Sequence, residues 1–456
     1  MQFAGVRTDL QLKPLNEEHD YIIRISDDVL PEPDAILITG ITPQKSISEG
    51  IHEAEFLKIF SEQIATPDTI FVGFNTVRFD DEFMRYMMYR NFYDAYEWQW
   101  QNGRSRWDIL DLVRMTRALR PDGIQWPFDS KGNPTNRLEL MTSVNKLDHA
   151  NAHDALNDVH ATIAVAKMIR DKQPKLFDFL LTMRDKKEVA KLAFSGKPFI
   201  YTSGKYASEF EKTTVVGTLV EHPQGGALVF DLRYDPENFV SMDPPALAEA
   251  MRRRRDDPGI RLPVKLLKYN RCPAIAPLGV LDQPSQERLK LDPKIFNANY
   301  KKLKSVQKEL SENILQALQI LDKKQQAKLL QDEAEVDTRL YDGFFGPDDK
   351  NKMGVVRAAS VDELGSLDLR FKDDRLESLL PLYKARNYPN TLSDEERAIW
   401  EQFRERKLLG GGTQSRAAKY FARLAELAKD PKLSGEKQYL LEELQLYGQA
   451  ILPIAD

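Results

Sequence analysis

The spacing of hydrophobic and polar residues changes twice along the chain, and each section predicts a different architecture. In the first section, short apolar runs such as residues 69–74 alternate with stretches in which apolar positions recur every three or four residues, which indicates strands and amphipathic helices. From Lys197 to Pro277 the apolar runs are short and separated by turns, as in a small β-barrel, and the remainder has the helical period. The predicted domains are an α/β domain at 1–172, a barrel domain with helical insertions at 173–328 and a helical domain at 329–456.

Local signals place the elements of the α/β section. Thr42 and Pro43 are typical of a helix N-cap followed by the first helical residue, so we predict a helix that starts there. The predicted strands cover residues 2–9, 21–26 and 69–74, with a further apolar run at Ala35–Ile38. The predicted helices cover residues 50–65, 80–91 and 108–120, with a further helix that ends near Arg170.

The composition is that of an ordinary globular protein, with 42% hydrophobic and 30% charged residues. The single cysteine, Cys272, excludes an internal disulfide and fits a reducing cytoplasm. No apolar stretch approaches the roughly 18 residues of a membrane span, so we expect a cytoplasmic protein. The net charge of −5 argues against a uniformly basic nucleic-acid coat, but it permits a local basic groove.

Two polar positions in the α/β section carry candidate chemistry. His153 and Asp158 lie where a polar loop gives way to an apolar helix, so both side chains fall near the start of that helix. A neutral histidine beside a carboxylate can deprotonate a water held by a metal ion, although the same spacing also fits a helix cap. Asp80 follows the apolar run 69–74 at a helix start, where α/β folds commonly place catalytic carboxylates.

Arginine and aromatic residues form a second class of candidates. The segment from Tyr86 to Trp107 interleaves rings with arginines, which indicates either core or a surface where bases stack and phosphates are neutralised. Arg114, Arg117 and Arg120 recur every three residues without an intervening acid, which favours contact with phosphate or an acidic peptide. Asp108, just before this helix, is assigned to helix capping rather than to metal binding.

The order of these motifs resembles a known family. Asn-x-x-x-Phe-Asp at 75–80, followed later by His-x4-Asp at 153–158, is similar to the histidine subclass of the DEDD superfamily of metal-dependent 3′→5′ exonucleases. Within that superfamily the surrounding text looks like the exodeoxyribonuclease I family, and the likeness continues through segments of both later domains. These segments are Pro-Val-Lys-Leu at 263–266, Tyr-Asp-Gly-Phe-Phe at 341–345 and Lys-Ala-Arg-Asn-Tyr-Pro at 384–389. The resemblance implies a ribonuclease H-like exonuclease domain, an SH3-like β-barrel and a C-terminal α-helical domain.

The resemblance also implies a reaction and its residues. The chain would act as a monomer that degrades single-stranded DNA from the 3′ end to 5′-mononucleotides, in DNA repair and recombination. Two Mg²⁺ ions, with Mn²⁺ as a substitute, would be held by Asp80 and Asp158, and His153 would take the proton of the attacking water. Arg120 is the best match for docking the acidic C-terminal tail of single-stranded-DNA-binding protein. The implied substrate-binding residues are Arg137, Arg85, Tyr96, Trp100 and Arg114.

One feature of the family does not occur near the start of this sequence. The family opens on a strand that carries Asp-x-Glu, whose carboxylates complete the metal site, whereas this chain begins with text that follows that strand in the family. We therefore expect a misplaced start, with in-frame Asp-x-Glu codons just upstream of Met1. Without that strand, we expect Asp80 and Asp158 to hold two metal ions poorly, and the sheet to keep unpaired backbone groups.

Two alternative functions remain open from the sequence. The first is a catalytically impaired protein that binds single-stranded DNA or the partner tail, which binding without a Mg²⁺-dependent product would favour. The second is a DEDD relative that acts on RNA ends, which a faster rate on RNA would favour. The likeness to exodeoxyribonuclease I across the later domains speaks against the second alternative.

Overall fold

The computed structural model describes residues 1–147, 154–254, 257–329 and 335–453. In chain order it contains an α/β part, a part built on a five-stranded sheet and a helical part, as the hydrophobic pattern predicts. None of the helices in these ranges combines the length and the apolar composition needed to cross a membrane.

The four strands of the α/β part form two separate pairs, the first antiparallel and the second parallel. The strands are β1 (Gln2–Thr8), β2 (Pro14–Ile22), β3 (Ile70–Gly73) and β4 (Ser105–Asp108). The helices of this part and of the connector that follows it are α1 (Pro33–Thr39), α2 (Pro43–Glu49), α3 (Glu53–Ile59), α4 (Asp80–Arg90), α5 (Leu110–Leu119), α6 (Leu138–Val144), α7 (Ala155–Lys172), α8 (Pro174–Thr182) and α9 (Lys186–Ala193).

Local predictions in the α/β part have mixed outcomes. The second strand covers Pro14–Ile22, so the prediction of 21–26 is wrong; a short turn lets this strand pair back along β1. The apolar run Ala35–Ile38 is helical, because its side chains pack against the last two helices of the chain. The predicted N-cap is confirmed, since the Thr42 hydroxyl accepts the backbone N–H of Lys45 at 3.1 Å.

The middle part, called the barrel part below, is built on the strands β5 (Phe199–Thr202), β6 (Thr213–Glu221), β7 (Ala227–Asp231), β8 (Val264–Leu267) and β9 (Ala274–Pro277). These strands form an antiparallel sheet with the spatial order β8-β7-β6-β5-β9. Its helices are α10 (Glu237–Val240), α11 (Pro244–Arg252), α12 (Gln283–Leu289) and α13 (Pro293–Leu329). Buried side chains of β5 to β7 belong to the same hydrophobic cluster as those of α5 and α7, so the barrel and the α/β part share one core.

The helical part packs against α4. Its helices are α14 (Pro347–Ala358), α15 (Val361–Gly365), α16 (Asp374–Asn387), α17 (Asp394–Leu409), α18 (Arg416–Leu427) and α19 (Gly435–Ile451). Tyr89 lies on α4 and Phe92 lies just after it, and both rings are fully buried in the core of this part. These two rings of the aromatic-rich segment are therefore core residues, because tertiary contacts from the helical part cover them.

Candidate active site

A cavity of about 1420 Å³ lies between the two strand pairs of the α/β part. All of β1 and all of β3 line it, and among the described strands each of these two has a single neighbour, β2 for β1 and β4 for β3. Apolar side chains cover the faces of the cavity, with Phe60 and Met84 from one helical layer and Phe177 and Leu181 from the other. Unpaired backbone groups of β1 and β3 therefore border the cavity on two sides, and apolar side chains of the helices cover its two faces.

Two carboxylates predicted to act in catalysis both face this cavity. Asp80 is the first residue of α4, and Asp158 lies in the first turn of α7. The start of α7 is fixed by Asp154, whose side chain accepts the backbone N–H of Asn157 at 3.2 Å. The fold thus places two acidic residues that are distant in sequence on the lining of one cavity, each at the positive end of a helix.

Asp108 positions the loop that leads to Asp80. Asp108 ends β4, and the N-cap of α5 is Ile109, so the predicted N-cap at Asp108 is wrong. The Asp108 carboxylate accepts the N–H of Leu110 at 3.0 Å and the N–H groups of Asn75 and Val77 at 2.9 and 3.1 Å. These bonds hold the turn after β3, where Asn75 adopts a left-handed φ of 67°. The start of α4, and with it Asp80, is fixed relative to β4.

The surroundings of Asp80 disfavour its charged form. Burial raises the pKa of the Asp80 carboxyl above its usual range, and the negative charge of Asp108 raises it further. A cation placed between Asp80 and Asp158 would oppose both effects. A perturbed carboxyl group that faces a cavity is a common property of functional sites.

The two carboxylates fit a divalent cation in ligand type, since Mg²⁺ prefers oxygen ligands. They supply only part of a coordination shell: the described ranges contain no group of three or more His, Cys, Asp or Glu side chains placed to hold a metal. The predicted general base, His153, lies outside the described residues.

Two of the predicted substrate-binding arginines line the same cavity. Arg137 precedes α6 with its side chain 68% exposed, and its guanidinium contacts Glu139. Arg114 is half-buried, donates to Asp111 Oδ1 at 2.6 Å and lies against Gly204 of the barrel part. A Cβ atom at Gly204 would come within 3.1 Å of the Arg114 guanidinium, so the absence of a side chain there lets the barrel approach the cavity.

The other predicted substrate-binding residues lie outside the cavity. Arg85 is buried, pairs with Glu82 at 2.6 Å and lies 5.6 Å from the centre of the Tyr96 ring. Its charge is thus already compensated within the protein, and its guanidinium supports the half-buried Tyr96. Trp100 is 62% exposed and presents its ring to solvent.

A row of exposed aromatic rings crosses the face of α4, and sequence reasoning missed it. Phe79 and Phe83 are exposed and contact each other edge to face at 4.9 Å. Tyr341 and Phe344 of the helical part are also exposed, and their rings lie 6.0 Å from Tyr86 of α4 and 5.9 Å from Tyr96, respectively. We call these four exposed rings the aromatic row. The spacing of Phe79 and Phe83 in the sequence is compatible with one helical face, but only the docking of the helical part brings the other two rings alongside.

Arg114 and Arg117 of α5 and Arg120, which follows its last residue, do not share one exposed face. Arg117 is buried and pairs with Glu211 at 2.9 Å, so the prediction that it contacts phosphate or peptide is wrong. Arg120 is partly exposed, pairs with Asp282 at 3.1 Å and donates to the carbonyl of Val280 at 2.8 Å. Because the barrel part packs against α5, Arg117 is buried while Arg120 stays partly exposed.

Models of three protein families match successive parts of the chain. The first, described as an exonuclease, matches residues 1–166. The exonuclease I SH3-like domain matches residues 184–320, and the exonuclease I C-terminal domain matches residues 334–451. The order of the matches follows the order of the three parts of the fold.

Proteins and solved structures similar to this chain carry related names. It is 37% identical to exodeoxyribonuclease I of Haemophilus influenzae and 36% identical to that of Escherichia coli, in each case over 99% of this chain and 94% of the relative. Its fold matches exonuclease I of Methylocaldum szegediense with a TM-score of 0.90 and 41% identity, and E. coli exonuclease I in complex with a dA16 oligonucleotide with a TM-score of 0.90 and 36% identity. Both structural matches cover 99% of this chain and 95% of the other chain. A complex named ExoI/SSB-Ct matches with a TM-score of 0.90 and 35% identity over the same shares.

Proposed function

The chain belongs to the exodeoxyribonuclease I family, and from this premise we propose that it removes 5′-mononucleotides from the 3′ end of single-stranded DNA in a Mg²⁺-dependent reaction. The observation that carries the proposal is the placement of Asp80 and Asp158 on one cavity, with Arg114 and Arg137 beside them. A divalent cation held there would supply an activated water and neutralise charge on the scissile phosphate. We further propose that the chain acts as a monomer in the cytoplasm, in DNA repair and recombination.

The chain's own side chains have complementary roles in this proposal. Asp80 and Asp158 provide oxygen ligands, and His153 takes a proton from the attacking water. The exposed guanidinium of Arg137 binds the DNA backbone, because a planar guanidinium matches phosphate geometry. No strong sequence preference is expected, since stacking and phosphate contacts do not read base edges.

The proposed activity is tested on three substrates of equal length: single-stranded DNA, duplex DNA and single-stranded RNA, each labelled at the 5′ end so that shortened products stay visible. We expect shortening of single-stranded DNA with Mg²⁺ and none with EDTA. Faster shortening of RNA would contradict the proposed substrate. Cleavage that persists in EDTA would contradict the metal requirement.

A second candidate function rests on a specific observation, the small number of described metal ligands. On this reading the chain is a catalytically impaired protein that binds single-stranded DNA. Anisotropy of a labelled strand separates the two candidates: tight binding together with no Mg²⁺-dependent product would favour the binding protein.

Base stacking on the aromatic row gives a separate prediction. Phe83→Ala/Phe344→Ala removes two exposed rings from two different parts of the fold, so we expect weaker binding of single-stranded DNA with unchanged folding. Stacking contributes about 1–3 kcal/mol per base, so the loss of two rings, together about 2 kcal/mol or more, corresponds to at least about a tenfold rise in the dissociation constant. Phe194→Ala, which removes an exposed ring from the connector, is the matched control. Equal affinities of the double variant and the control in EDTA would rule out stacking on this row.

The name of the ExoI/SSB-Ct complex supports a partner proposal for this chain. We propose that Arg120 contributes to a site for the acidic C-terminal tail of single-stranded-DNA-binding protein. Arg120 lies on the same surface as Arg288, which donates to the carbonyl of Ala118 at 3.0 Å. Asp282 already compensates part of the Arg120 charge, so a peptide carboxylate would compete with an internal pair.

A further inference from the structure

A hairpin at residues 127–135 stands directly before the segment that carries Arg137 to the cavity. Its neck is closed by the backbone N–H of Thr135, which donates to the carbonyl of Pro127 at 3.3 Å. Residues 134–137, at the end of its second arm and just beyond it, line the cavity. The position of this part of the cavity wall therefore depends on what holds the neck of the hairpin.

The buried side chain of Arg117 holds both arms of the hairpin. Its Nη1 atom donates to the carbonyl of Pro127 at 2.9 Å and to the carbonyl of Thr135 at 2.9 Å. Its guanidinium also lies 4.9 Å from the centre of the Phe128 ring. Hydrogen bonds from a charged donor are strong where the protein excludes water, and only 3% of Arg117 is exposed. One guanidinium thus joins the two arms.

Glu211 of the barrel part fixes Arg117 in turn. Its carboxylate contacts Arg117 Nε at 2.9 Å, and the residue lies between β5 and β6 with a left-handed φ of 46°. Burial raises the pKa of the Glu211 carboxyl and lowers the pKa of the Arg117 guanidinium, while each charge opposes the shift of the other. Two paired side chains therefore connect the barrel part to the wall of the cavity.

The hairpin has few other attachments. Among the described residues, the hydrogen bonds that reach 127–135 from another part of the chain are donated by Arg117. The tip is held by internal bonds, since the Asp129 carboxylate accepts the backbone N–H groups of Lys131 and Asn133 at 2.8 Å each. Without Arg117 the hairpin would keep its own shape but lose its fixed position on the protein.

We propose that Arg117, anchored by Glu211, is a positioning residue for substrate binding: it holds the 127–135 hairpin so that Arg137 meets the backbone of the single-stranded DNA at the cavity. This inference rests on the proposed function, in which Arg137 binds that backbone. It gives the barrel part an effect on substrate binding that requires no contact between Glu211 and the strand. Arg117 is buried and acts only through the hairpin.

The test uses Arg117→Met/Glu211→Gln in the full chain, because replacing both members of a buried ion pair preserves folding better than removing one. Binding of a 5′-fluorescein-labelled single-stranded DNA is followed by anisotropy in EDTA. We expect this variant and Arg137→Ala each to raise the dissociation constant about tenfold, since each loses the charge-assisted hydrogen bond to phosphate. The three substitutions together should also raise it only about tenfold, because both changes remove the same contact.

Two further readouts separate positioning from a loss of stability. With Mg²⁺ we expect a higher KM and an unchanged kcat, whereas a partly unfolded enzyme would lose kcat. Hydrogen–deuterium exchange should become faster at residues 127–137. The matched control is Lys384→Met/Glu396→Gln, which removes the ion pair of a buried lysine in the helical part and, like the test variant, leaves the net charge unchanged. It should change neither the affinity nor the exchange at 127–137.

Affinity and exchange of Arg117→Met/Glu211→Gln equal to those of the control would overturn the inference and leave the proposed function standing. Losses that multiply to about a hundredfold in the combined variant would show that Arg117 acts independently of Arg137, and the inference would be wrong. An Arg137→Ala variant that binds as tightly as the unmodified chain would remove the residue that Arg117 is proposed to position, and would also overturn it. An unmodified chain that does not bind single-stranded DNA would contradict the proposed function itself.

Discussion

We expect Asp80→Asn to lower the rate of the proposed Mg²⁺-dependent nucleotide release at least about a thousandfold and to leave binding of single-stranded DNA in EDTA unchanged. The expectation follows from the position of Asp80 at the first turn of α4, facing the cavity that Asp158 also lines. An amide keeps the shape of the side chain but removes the negative charge that a divalent cation requires. Without the cation, the reaction would lose the metal-ion stabilisation of the transition state for phosphodiester cleavage. Asp158→Asn should show the same loss.

Asp171→Asn is the control for this prediction, because it removes an exposed carboxylate from the same helix as Asp158. Titration with Mn²⁺, followed by the electron paramagnetic resonance of the free ion, gives a readout that does not depend on turnover. We expect weaker Mn²⁺ binding for Asp80→Asn and unchanged binding for the control. Full activity of Asp80→Asn would mean that other residues hold the metal.

The second large effect is expected at a buried group of charges that joins the α/β part to the helical part. Asp28 is fully buried and contacts Arg386 at 2.7 Å and Lys407 at 2.6 Å. Asp337 contacts the same two cations at 2.6 and 3.2 Å. Two carboxylates and two cations thus balance their charges in the interior, and buried charges are tolerated when they are paired in this way.

Asp28→Asn leaves two buried cations with a single carboxylate, so we expect the free energy of unfolding to fall by about 3–5 kcal/mol at neutral pH. Urea denaturation followed by tryptophan fluorescence measures the change. Asp27→Asn, at the exposed neighbouring position, should have no effect on the urea midpoint. A loss below about 1 kcal/mol for Asp28→Asn would show that the pairing is not required for stability.

The same group of charges predicts how stability depends on pH. Burial alone would raise the pKa of Asp28, but the charges of Arg386 and Lys407 outweigh it and hold this pKa far below its usual value of 3.8. A carboxyl whose pKa is lower in the folded state stabilises the protein above the unfolded pKa and loses that contribution as the pH falls below it. The difference in stability between the unmodified chain and Asp28→Asn should therefore narrow as the pH falls below 3.8.

The sequence predicted those parts of the fold that depend on near neighbours. The cap at Thr42 is confirmed because its hydroxyl needs only a backbone N–H three residues away. The spacing of apolar residues predicted the order of the three parts, because burying one face of a helix or strand places apolar residues at a regular spacing along that element. The resemblance of the motifs identified the family, which the similarity over nearly the whole chain confirms. The roles of the site residues, including His153, stay predictions.

Contacts between distant residues decided the rest. Arg117 looks like a phosphate-binding residue in the sequence, but it is buried in the folded chain, where Glu211, which lies between β5 and β6, balances its charge. Ala35–Ile38 is helical because its apolar face packs on α18 and α19, almost four hundred residues along the chain.

By itself, the sequence determined the family and the order of the three parts, and it named Asp80 and Asp158 as candidate metal ligands. The tertiary structure alone decided which charges remain free to bind a ligand, since a cation is available only where folding leaves it without an acid. It brought Arg271 and Tyr341 to the same carboxylate, Glu82, and it balanced Asp28 against Arg386. The physical reason is that periods and caps are set within a few residues, whereas burial and charge pairing depend on segments that meet only in the folded chain.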